Sequence, residues 1–331
     1  MKTPPDVIVV GAHSQGQLFK IERMPYPGET ISSKNYEILD DGGKGSNQAI
    51  ALGRLDVETA FIGKIGNDQF GNLAEKWLKE AGVNTDGLIW SNHLPTSTGI
   101  IFLERNGINS IINGLGASQN LTCKEVQCAM RKFSGAKILL TGFEIPVDVA
   151  LFASKLGKKM GMTTVVNPGP APEDGLGILD YVDILIPNET EAKIIAFGDP
   201  LADVPIDTLA TKIIEKYHVG SVVITLGENG CFCISSNGSW RFDAIPSKVI
   251  DTTGAGDAFC AGIVSGIFQG FDLYSACAWA TCVASISVET LGTIPSFPKL
   301  EEVKKKFGSI AKNFIRINKY HNKHKEDCDD L

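Results

Sequence analysis

The sequence has little of what identifies several common classes of protein. No CxxC pair occurs among its eight cysteines, so we expect neither a zinc ribbon nor a dithiol redox site, and the scattered cysteines indicate a reducing compartment. No apolar run approaches the roughly 18 residues of a membrane helix. The first run, Val7–Val10, is too short for the apolar region of a signal peptide. The net charge of −7 lacks the positive excess typical of nucleic-acid binding. We therefore expect a cytoplasmic protein without a membrane or nucleic-acid partner.

A dinucleotide-binding turn is also missing. The first apolar run ends at Gly11, but Gly11-Ala12-His13 does not continue as the G-x-G-x-x-G pattern that holds a pyrophosphate. A hydride-transfer enzyme on a Rossmann fold is therefore disfavoured.

Short apolar runs alternate with helix-like segments along most of the chain. This alternation predicts βαβ units and a mostly parallel sheet covered on both faces. The predicted strands are Val7–Val10, Thr59–Ile62, Ile138–Leu140, Thr164–Val166, Ile184–Ile186 and Val222–Thr225. The predicted helices are Ser46–Leu55, Phe70–Ala81, Lys124–Phe133, Val147–Met160, Glu189–Phe197, Leu209–His218, Ala258–Gln269 and Leu273–Glu289.

Two segments interrupt this alternation, Gly28–Asp41 and Thr98–Asn113. The second contains Asn106-Gly107 between apolar runs, a strong hairpin signal. We interpret both as a small sheet that forms a lid over a cleft, although a plain surface hairpin is an alternative. Exposed apolar residues in such a sheet favour a homodimer formed through the lid. The predicted organisation is an α/β core (1–13, 44–97 and 114–317), a discontinuous lid (14–43 and 98–113) and a charged tail (318–331).

The stretch "DTTGAGDAF" places a glycine-rich turn directly before an apolar helix. Backbone N–H groups of such a turn and the helix N-terminus form an anion hole suited to a transferring phosphoryl group. The carboxylate of Asp257, which we expect to be ionised at neutral pH, can accept a proton from a substrate hydroxyl. Alternatively, Asp257 only caps its own helix.

Two further motifs carry polar groups at helix starts. "DDGGKGSNQA" offers Lys44 and Asn47 to a polyhydroxylated ligand, with paired glycines at the hinge between lid and core. "PNETEA" places Asn188, Glu189 and Glu191 after a strand, which fits an indirect Mg²⁺ site or a simple capping box.

Together with "VITLGENG" and "PGET", these motifs resemble the ribokinase family of carbohydrate kinases, the PfkB group, from Val7 to about Pro298. The resemblance implies a three-layer α/β/α core with a β-lid, often dimeric through that lid. It implies ATP-dependent phosphorylation of a primary hydroxyl on a sugar, with ATP, Mg²⁺ and, in many members, K⁺.

The resemblance also implies roles for individual residues. Asp257 is the expected catalytic base, beside an anion hole at Gly254, Ala255 and Gly256. The expected nucleotide-binding residues are Asn188, Thr225, Leu226, Gly227, Glu228, Asn229, Gly230, Gly256 and Thr281. The expected sugar-binding positions are Ser14, Gly16, Gly43, Lys44, Asn47, Glu144 and Asp257. Glu191 would order Mg²⁺ through water, and a monovalent cation would be held at Asp251, Thr253, Ser287, Thr290, Gly292 and Ser296. Without the resemblance, Glu144 is only a solvated loop carboxylate and Asp251 only a turn-forming side chain.

The chain departs from the family at two sugar-contact positions. Where family members usually carry an Asn and an Asp that hold sugar hydroxyls, this chain has Ser14 and Gly16. Losing one or two hydrogen bonds from a carboxylate should weaken ribose recognition about tenfold to several thousandfold. We therefore expect an altered sugar, bulkier, deoxygenated or anionic, or a nucleoside. Compensation by another carboxylate such as Asp40 or Asp41 would preserve ribose as the substrate, so ribokinase proper stays an alternative.

Two other functions stay open at this stage. A nucleoside kinase of the same fold would need an apolar wall for a base, and the sequence does not show which lid residues face inward. A sugar-sensing protein without catalysis is disfavoured, because Asn188, Gly254, Gly256 and Asp257 are all present.

Overall fold

The computed structural model describes residues 5–172, 176–308 and 318–319. Apart from residues 318–319, the predicted charged tail lies outside the described residues. The strands are β1 (Val7–Val10), β2 (Ser14–Ile21), β3 (Asn35–Ile38), β4 (Thr59–Gly66), β5 (Asn84–Ser91), β6 (Ser97–Glu104), β7 (Asn109–Gly114), β8 (Ile138–Gly142), β9 (Thr163–Asn167), β10 (Ile184–Leu185), β11 (Ser221–Thr225), β12 (Cys231–Ser235), β13 (Gly238–Phe242) and β14 (Asn318–Lys319). The helices are α1 (Gly43–Arg54), α2 (Gln69–Glu80), α3 (Cys123–Met130), α4 (Val147–Lys159), α5 (Glu189–Phe197), α6 (Ile206–Tyr217), α7 (Ala255–Phe268), α8 (Leu273–Ser287) and α9 (Leu300–Phe307).

The main sheet is mostly parallel, as the alternation of strands and helices predicted. Within the described residues it has ten strands, in the order β14-β13-β12-β11-β10-β9-β8-β1-β4-β5. The strands from β11 through β5 in this order pair in parallel, and β12, β13 and β14 continue the sheet with antiparallel pairing.

Two apolar cores cover the two faces of this sheet. Successive residues of a strand point to opposite faces, so Val7 and Val9 lie in one core and Ile8 and Val10 in the other. The first core includes buried residues of α1, α2, α7, α8 and α9, and the second those of α3, α4, α5 and α6. The three-layer α/β/α architecture is therefore confirmed. None of the helices in these ranges is both long and apolar enough to cross a membrane.

A second, smaller sheet fits the predicted lid. Its strand order is β3-β2-β6-β7, in which β2 and β6 are parallel and the two outer pairs antiparallel. The apolar pattern does not predict β2, because its first half, "SQGQ", is polar or glycine. Two chain segments far apart in sequence thus form one sheet beside the core.

Helix α1 begins three residues before the predicted Ser46. It starts at Gly43, and Gly45 in its first turn lies directly on the end of β1. A methyl group built on Gly45 would lie 2.7 Å from the backbone N and O of Ala12 and 2.8 Å from Gly11 Cα. Only a glycine permits this approach without displacing the backbone.

Candidate functional site

The predicted site residues lie near the carboxyl ends of parallel strands. Glu144 follows β8, Asn188 follows β10 and Gly227 follows β11. Parallel strands end at one edge of a sheet, and open α/β sheets bind their ligands there. Helices α1 and α7 also meet at this edge, since side chains from the second turn of α1 are hydrogen-bonded to the first turn of α7.

Asp257 lies in the first turn of α7, with its carboxylate directed to α1 rather than to its own helix. Its Oδ2 accepts a hydrogen bond from Asn47 Nδ2 at 3.1 Å and its Oδ1 one from Gln48 Nε2 at 3.0 Å. The N-cap position belongs to Gly254, which has the left-handed φ of 78°. The structure therefore speaks against a capping role for Asp257.

The proton affinity of Asp257 reflects competing effects. Burial raises its pKa to about 6, although the Lys44 charge and the amides of Asn47 and Gln48 lower it. Asp257 was expected to be ionised at neutral pH, and with a pKa of about 6 it remains mostly ionised there, although burial outweighs the charge and the hydrogen bonds that favour its ionised form. A base with a pKa near the working pH is well suited to accept a proton in the transition state.

The turn before α7 presents backbone donors beside this carboxylate. Among the described residues, no acceptor faces the N–H groups of Gly256 and Asp257, whereas Ala255 N donates to Thr252 O at 3.2 Å. These free donors lie at a helix N-terminus, where the macrodipole favours an anion. The arrangement can hold negative charge next to a base.

Lys44 and Glu144 form the opposite wall. Lys44 N donates to Glu144 Oε2 at 2.8 Å, so the carboxylate occupies the N-terminus of α1. Burial raises the pKa of Glu144 to about 7, against the effect of the Lys44 charge. Burial lowers the pKa of the Lys44 ammonium. The negative charges of Asp257, Glu191 and Glu144 have a larger combined effect, so the pKa is raised. Glu144 is thus a partly buried, hydrogen-bonded carboxylate and not a solvated one on a surface loop.

The predicted sugar-contact positions converge around Gly43. A methyl group built on Gly43 would lie 3.2 Å from both Glu144 Oε2 and Ser14 Cβ, so these side chains flank the start of α1. Ser14 N donates to Gly42 O at 2.7 Å, which joins the lid to this loop. Gly16 lies beside Asp41, a carboxylate that also accepts a hydrogen bond from Asn47.

A cleft of about 820 Å³ adjoins the free amides. It contains Lys44 from the sugar side and nearly all predicted nucleotide residues: Asn188, Thr225, Leu226, Gly227, Glu228, Gly230, Gly256 and Thr281. Asn229 lines a neighbouring depression instead. The cleft is large enough for a nucleoside triphosphate.

Asn188 and Glu191 form a capping box at the start of α5. Asn188 Oδ1 accepts from Glu191 N at 2.7 Å, and Glu191 Oε2 accepts from Asn188 N at 2.9 Å. The other carboxylate oxygen, Oε1, lies beside Gly169 and the Lys44 side chain. The capping box therefore leaves one oxygen of the buried Glu191 unused, beside Lys44, which lines the cleft. No cluster of three or more His, Cys, Asp or Glu side chains suited to a metal occurs in residues 5–172 and 176–308.

Two loops meet at Asp251 beside the glycine turn. Asp251 Oδ1 accepts from Thr253 N and Oγ1 at 2.9 and 2.7 Å, and Oδ2 accepts from Gly292 N at 2.9 Å. Burial opposes ionisation here, but these hydrogen bonds outweigh it and lower the pKa of Asp251. A methyl group on Gly254 would lie 2.6 Å from Thr293 Cγ2, so the second loop packs directly against the turn.

The sequence analysis did not single out several residues that the structure places at the site. Gln48, the second donor to Asp257, follows Asn47 directly and could have been suspected from two adjacent amides at a helix start. The segment 244–249 contributes an apolar wall of the cleft, including Ile245 and Val249, together with Phe259 and Val288. No motif marks these residues, because an apolar wall is indistinguishable from core in a sequence.

Known proteins match this chain over most of its length. The model of the pfkB family of carbohydrate kinases matches residues 20–300. Ribokinase of Staphylococcus aureus is 32% identical over 298 residues, covering 90% of this chain and 98% of that protein. A bifunctional ribokinase/ribose-5-phosphate isomerase A of Fructilactobacillus sanfranciscensis is 31% identical, and the chain spans only 55% of its length. The structure of Arabidopsis thaliana ribokinase complexed with ribose and ATP superposes with a TM-score of 0.82 at 31% identity, covering 92% of this chain and 98% of that one. The chain therefore belongs to the pfkB family of carbohydrate kinases and is an ATP-dependent sugar kinase of the ribokinase type.

Proposed function

We propose that this sugar kinase transfers the γ-phosphoryl group of ATP to the primary hydroxyl of a ribose-like pentose, with Asp257 as the base. The observation that carries the proposal is the position of the Asp257 carboxylate. It lies between two amides of α1 and next to the free amides of Gly256 and Asp257, where the sugar side and the nucleotide cleft meet. One group can therefore accept the hydroxyl proton while the adjacent donors stabilise charge on the phosphoryl group.

Lys44 connects the two halves of the proposed site. It lines the nucleotide cleft, and its charge is held among Asp257, Glu191 and Glu144. Its ammonium can interact with a phosphate oxygen while its backbone N–H orders the Glu144 carboxylate for sugar hydroxyls. Relatives named as ribokinases, one of them solved with ribose and ATP, support a pentose as the acceptor.

Mg²⁺ would be ordered by Glu191 through water, with Asn188 facing the phosphates. The donor set supports this role, because Oε1 of the buried Glu191 is not used in the capping box and lies beside the Lys44 side chain, which lines the cleft. The bound ion would neutralise charge on the phosphates of the nucleotide.

A monovalent cation would lie in the loops around Asp251, Thr253, Ser287, Thr290, Gly292 and Ser296. The ionised Asp251 and backbone carbonyls of the two loops would supply the oxygen ligands of K⁺, and the hydrogen bond from Gly292 N to Asp251 holds the two loops together. Because the second loop packs on Gly254, an ion there would stabilise the turn that presents the free amides.

The proposed oligomer is a homodimer formed through the lid. Its sheet exposes several large apolar side chains in the single chain, namely Tyr36, Ile38, Ile111 and Ile112, which are 46–59% exposed. Exposed apolar side chains of this kind favour association, because burying them removes apolar surface from water.

A coupled assay for ADP release tests the proposal. The wild type is offered ribose, 2-deoxyribose, arabinose, xylose, hexoses, sugar acids and nucleosides, and the product is analysed for the position of the phosphate. We expect ribose or a close relative to give the highest kcat/KM, with phosphate on the primary hydroxyl. Phosphorylation of a nucleoside alone, or of no sugar, would contradict the proposal.

A further inference from the structure

Asp41 owes its position to an irregularity in the pairing beside β2. Leu39 N donates to Gly16 O at 2.9 Å, and Gly16 N donates to Asp41 O at 3.2 Å. Three residues, 39–41, thus lie opposite the single residue Gly16, which is the geometry of a bulge. Asp40 is exposed, whereas Asp41 is partly buried and lies toward α1, where Asn47 donates a hydrogen bond to it.

The Asp41 side chain lies against the backbone of Gly16. A methyl group built on Gly16 would lie 3.2 Å from both Cβ and Oδ2 of Asp41, and 3.3 Å from Leu39 Cβ. Distances in this range are tighter than ordinary van der Waals contact, so a side chain at position 16 would compete with Asp41 for the same space. The absence of a side chain at position 16 is what makes room for this carboxylate.

Asp41 is joined to the catalytic base by a single amide. Asn47 Nδ2 donates to Asp41 Oδ1 at 2.8 Å and to Asp257 Oδ2 at 3.1 Å. The amide is fixed in this orientation because its Oδ1 accepts from Gly42 N at 3.0 Å. The two carboxylates therefore lie side by side at the start of α1, separated by one donor.

The surroundings of Asp41 leave it able to accept more hydrogen bonds. Burial raises the pKa of Asp41, while Asn47, Gly43, Thr293 and the charge of Lys44 lower it. The hydrogen bond from Gly43 N is long, at 3.4 Å. A carboxylate offers about four acceptor sites, so capacity remains for a ligand hydroxyl.

We infer that Asp41 is a further carboxylate, besides Glu144, that binds ring hydroxyls of the sugar in this chain, and that the missing side chain at Gly16 makes room for it. The inference rests on the proposed function and specifies its substrate. An acceptor carboxylate beside Asp257 favours a neutral sugar with adjacent hydroxyls. It disfavours a sugar acid, which would place two negative charges together, and a deoxy sugar, which would lack one hydroxyl to donate to Asp41.

The first experiment compares Asp41→Asn with Asp40→Asn, a matched change at the exposed neighbouring carboxylate. Ribose binding is measured by calorimetry, and KM is measured for ribose and for ATP. For Asp41→Asn we expect Kd and KM for ribose to rise about 10- to 100-fold, KM for ATP to stay within about twofold, and the preference for ribose over 2-deoxyribose, arabinose and xylose to shrink. Asp40→Asn should behave as wild type.

The second experiment moves the carboxylate. Gly16→Asp alone should weaken ribose binding, because two carboxylates then contact each other. Gly16→Asp combined with Asp41→Ala should bind ribose more tightly than either single change, a recovery that general damage to the fold does not produce.

The outcomes separate this inference from the proposed function. If the wild type phosphorylates no pentose, the proposed function fails. If it phosphorylates ribose and Asp41→Asn binds ribose with an unchanged Kd, the assignment of Asp41 alone is overturned. Additive losses in the double variant would likewise overturn it.

Discussion

At the scale of single residues, the site is a set of charges whose proton affinities depend on one another. Asp257, Glu144 and Asp41 are all shifted upward in pKa by burial, and Lys44 lowers all three. The lysine in turn stays charged because of carboxylates around it. Changing any one of these groups should therefore alter the titration of the others.

Asp257→Asn keeps the shape of the base and removes its ability to take a proton. We expect kcat to fall by roughly 10²- to 10⁴-fold, while ribose Kd changes little. In the wild type, kcat/KM should fall as the pH drops through about 6, because protonation of Asp257 removes the acceptor. A pH–rate profile at saturating ATP measures this. Unchanged activity in the variant would show that the base is elsewhere.

Ionisation of Glu144 should lower the free energy of unfolding of the ligand-free protein at alkaline pH. Its pKa rises from the usual 4.5 to about 7 in the folded chain, so the native state binds the proton more tightly than the unfolded state. The resulting stability is fully present below about 4.5 and is lost as the pH rises through about 7.

Glu144→Gln should therefore unfold at a higher temperature than wild type at pH 8, with a smaller difference at pH 5. Thermal unfolding without ligands measures both, and Glu215→Gln on the exposed face of α6 is the control. An equal difference at the two pH values would contradict the assignment of this pKa. The same variant should bind ribose more weakly, since a carboxylate is the stronger acceptor for a hydroxyl.

At the scale of elements, the site depends on how closely α1 approaches β1 and how the Asp251 loops hold the turn before α7. Both contacts involve glycines at which a side chain would meet backbone or a packed side chain, Gly45 against Ala12 and Gly254 against Thr293. These contacts place Asn47 and Asp257 within hydrogen-bond distance of each other.

Gly45→Ala tests the approach of α1. Its new methyl group would lie 2.7 Å from backbone atoms of Ala12, so the helix must shift. We expect a loss of about 1–3 kcal/mol in the free energy of unfolding, measured by urea denaturation. A reduced kcat should accompany it because Asn47 and Gln48 move with the helix. A variant with wild-type stability would show that this contact is not tight.

Asp251→Ala tests the proposed cation site. If an ion there stabilises the glycine turn, wild-type kcat should be higher in potassium chloride than in choline chloride at equal ionic strength. The variant should lose that difference while keeping a residual rate. A wild type that is indifferent to potassium would contradict the proposed site.

The sequence predicted the parallel core from its alternating apolar runs, and the structure confirms it. The motifs at Gly42–Asn47, Asn188–Glu191 and Gly254–Asp257 each contribute residues to one cleft. Strand β2 could not be predicted, because its polar residues pair with a lid strand about 80 residues away in sequence, and no local pattern records such pairing. The position of Asp41 depends on the same pairing and on a bulge, so the sequence could offer it only as one of two candidates.

At the scale of the whole molecule, the lid sheet has two faces and the chain itself does not bury both. Ile111 and Ile112 are neighbours on β7 and point to opposite faces, yet they are 59% and 55% exposed. A strand with one face on a closed core would show one buried and one exposed residue. This pattern is expected if one face covers the sugar and the other meets a second copy of the chain.

Ile111→Glu and Ile112→Glu form a matched pair for the proposed dimer. We expect one variant to sediment as a monomer at micromolar concentration and the other to remain a dimer with weaker sugar binding. Analytical ultracentrifugation and ribose calorimetry distinguish the two. A monomeric wild type, or two variants that both remain dimeric, would contradict dimerisation through this sheet.

The contact between Gly16 and Asp41 has an evolutionary consequence. If Asp41 binds the sugar as inferred, acidic residues at both positions would compete for one space, and a chain with neither would lose one acceptor for ring hydroxyls. Exchange between the two arrangements by single substitutions would therefore pass through a chain that binds this sugar more weakly. Among relatives, an acidic residue at one of the two positions should accompany a small or neutral residue at the other. This covariation would mark lineages in which the acidic residue of the sugar pocket has changed position.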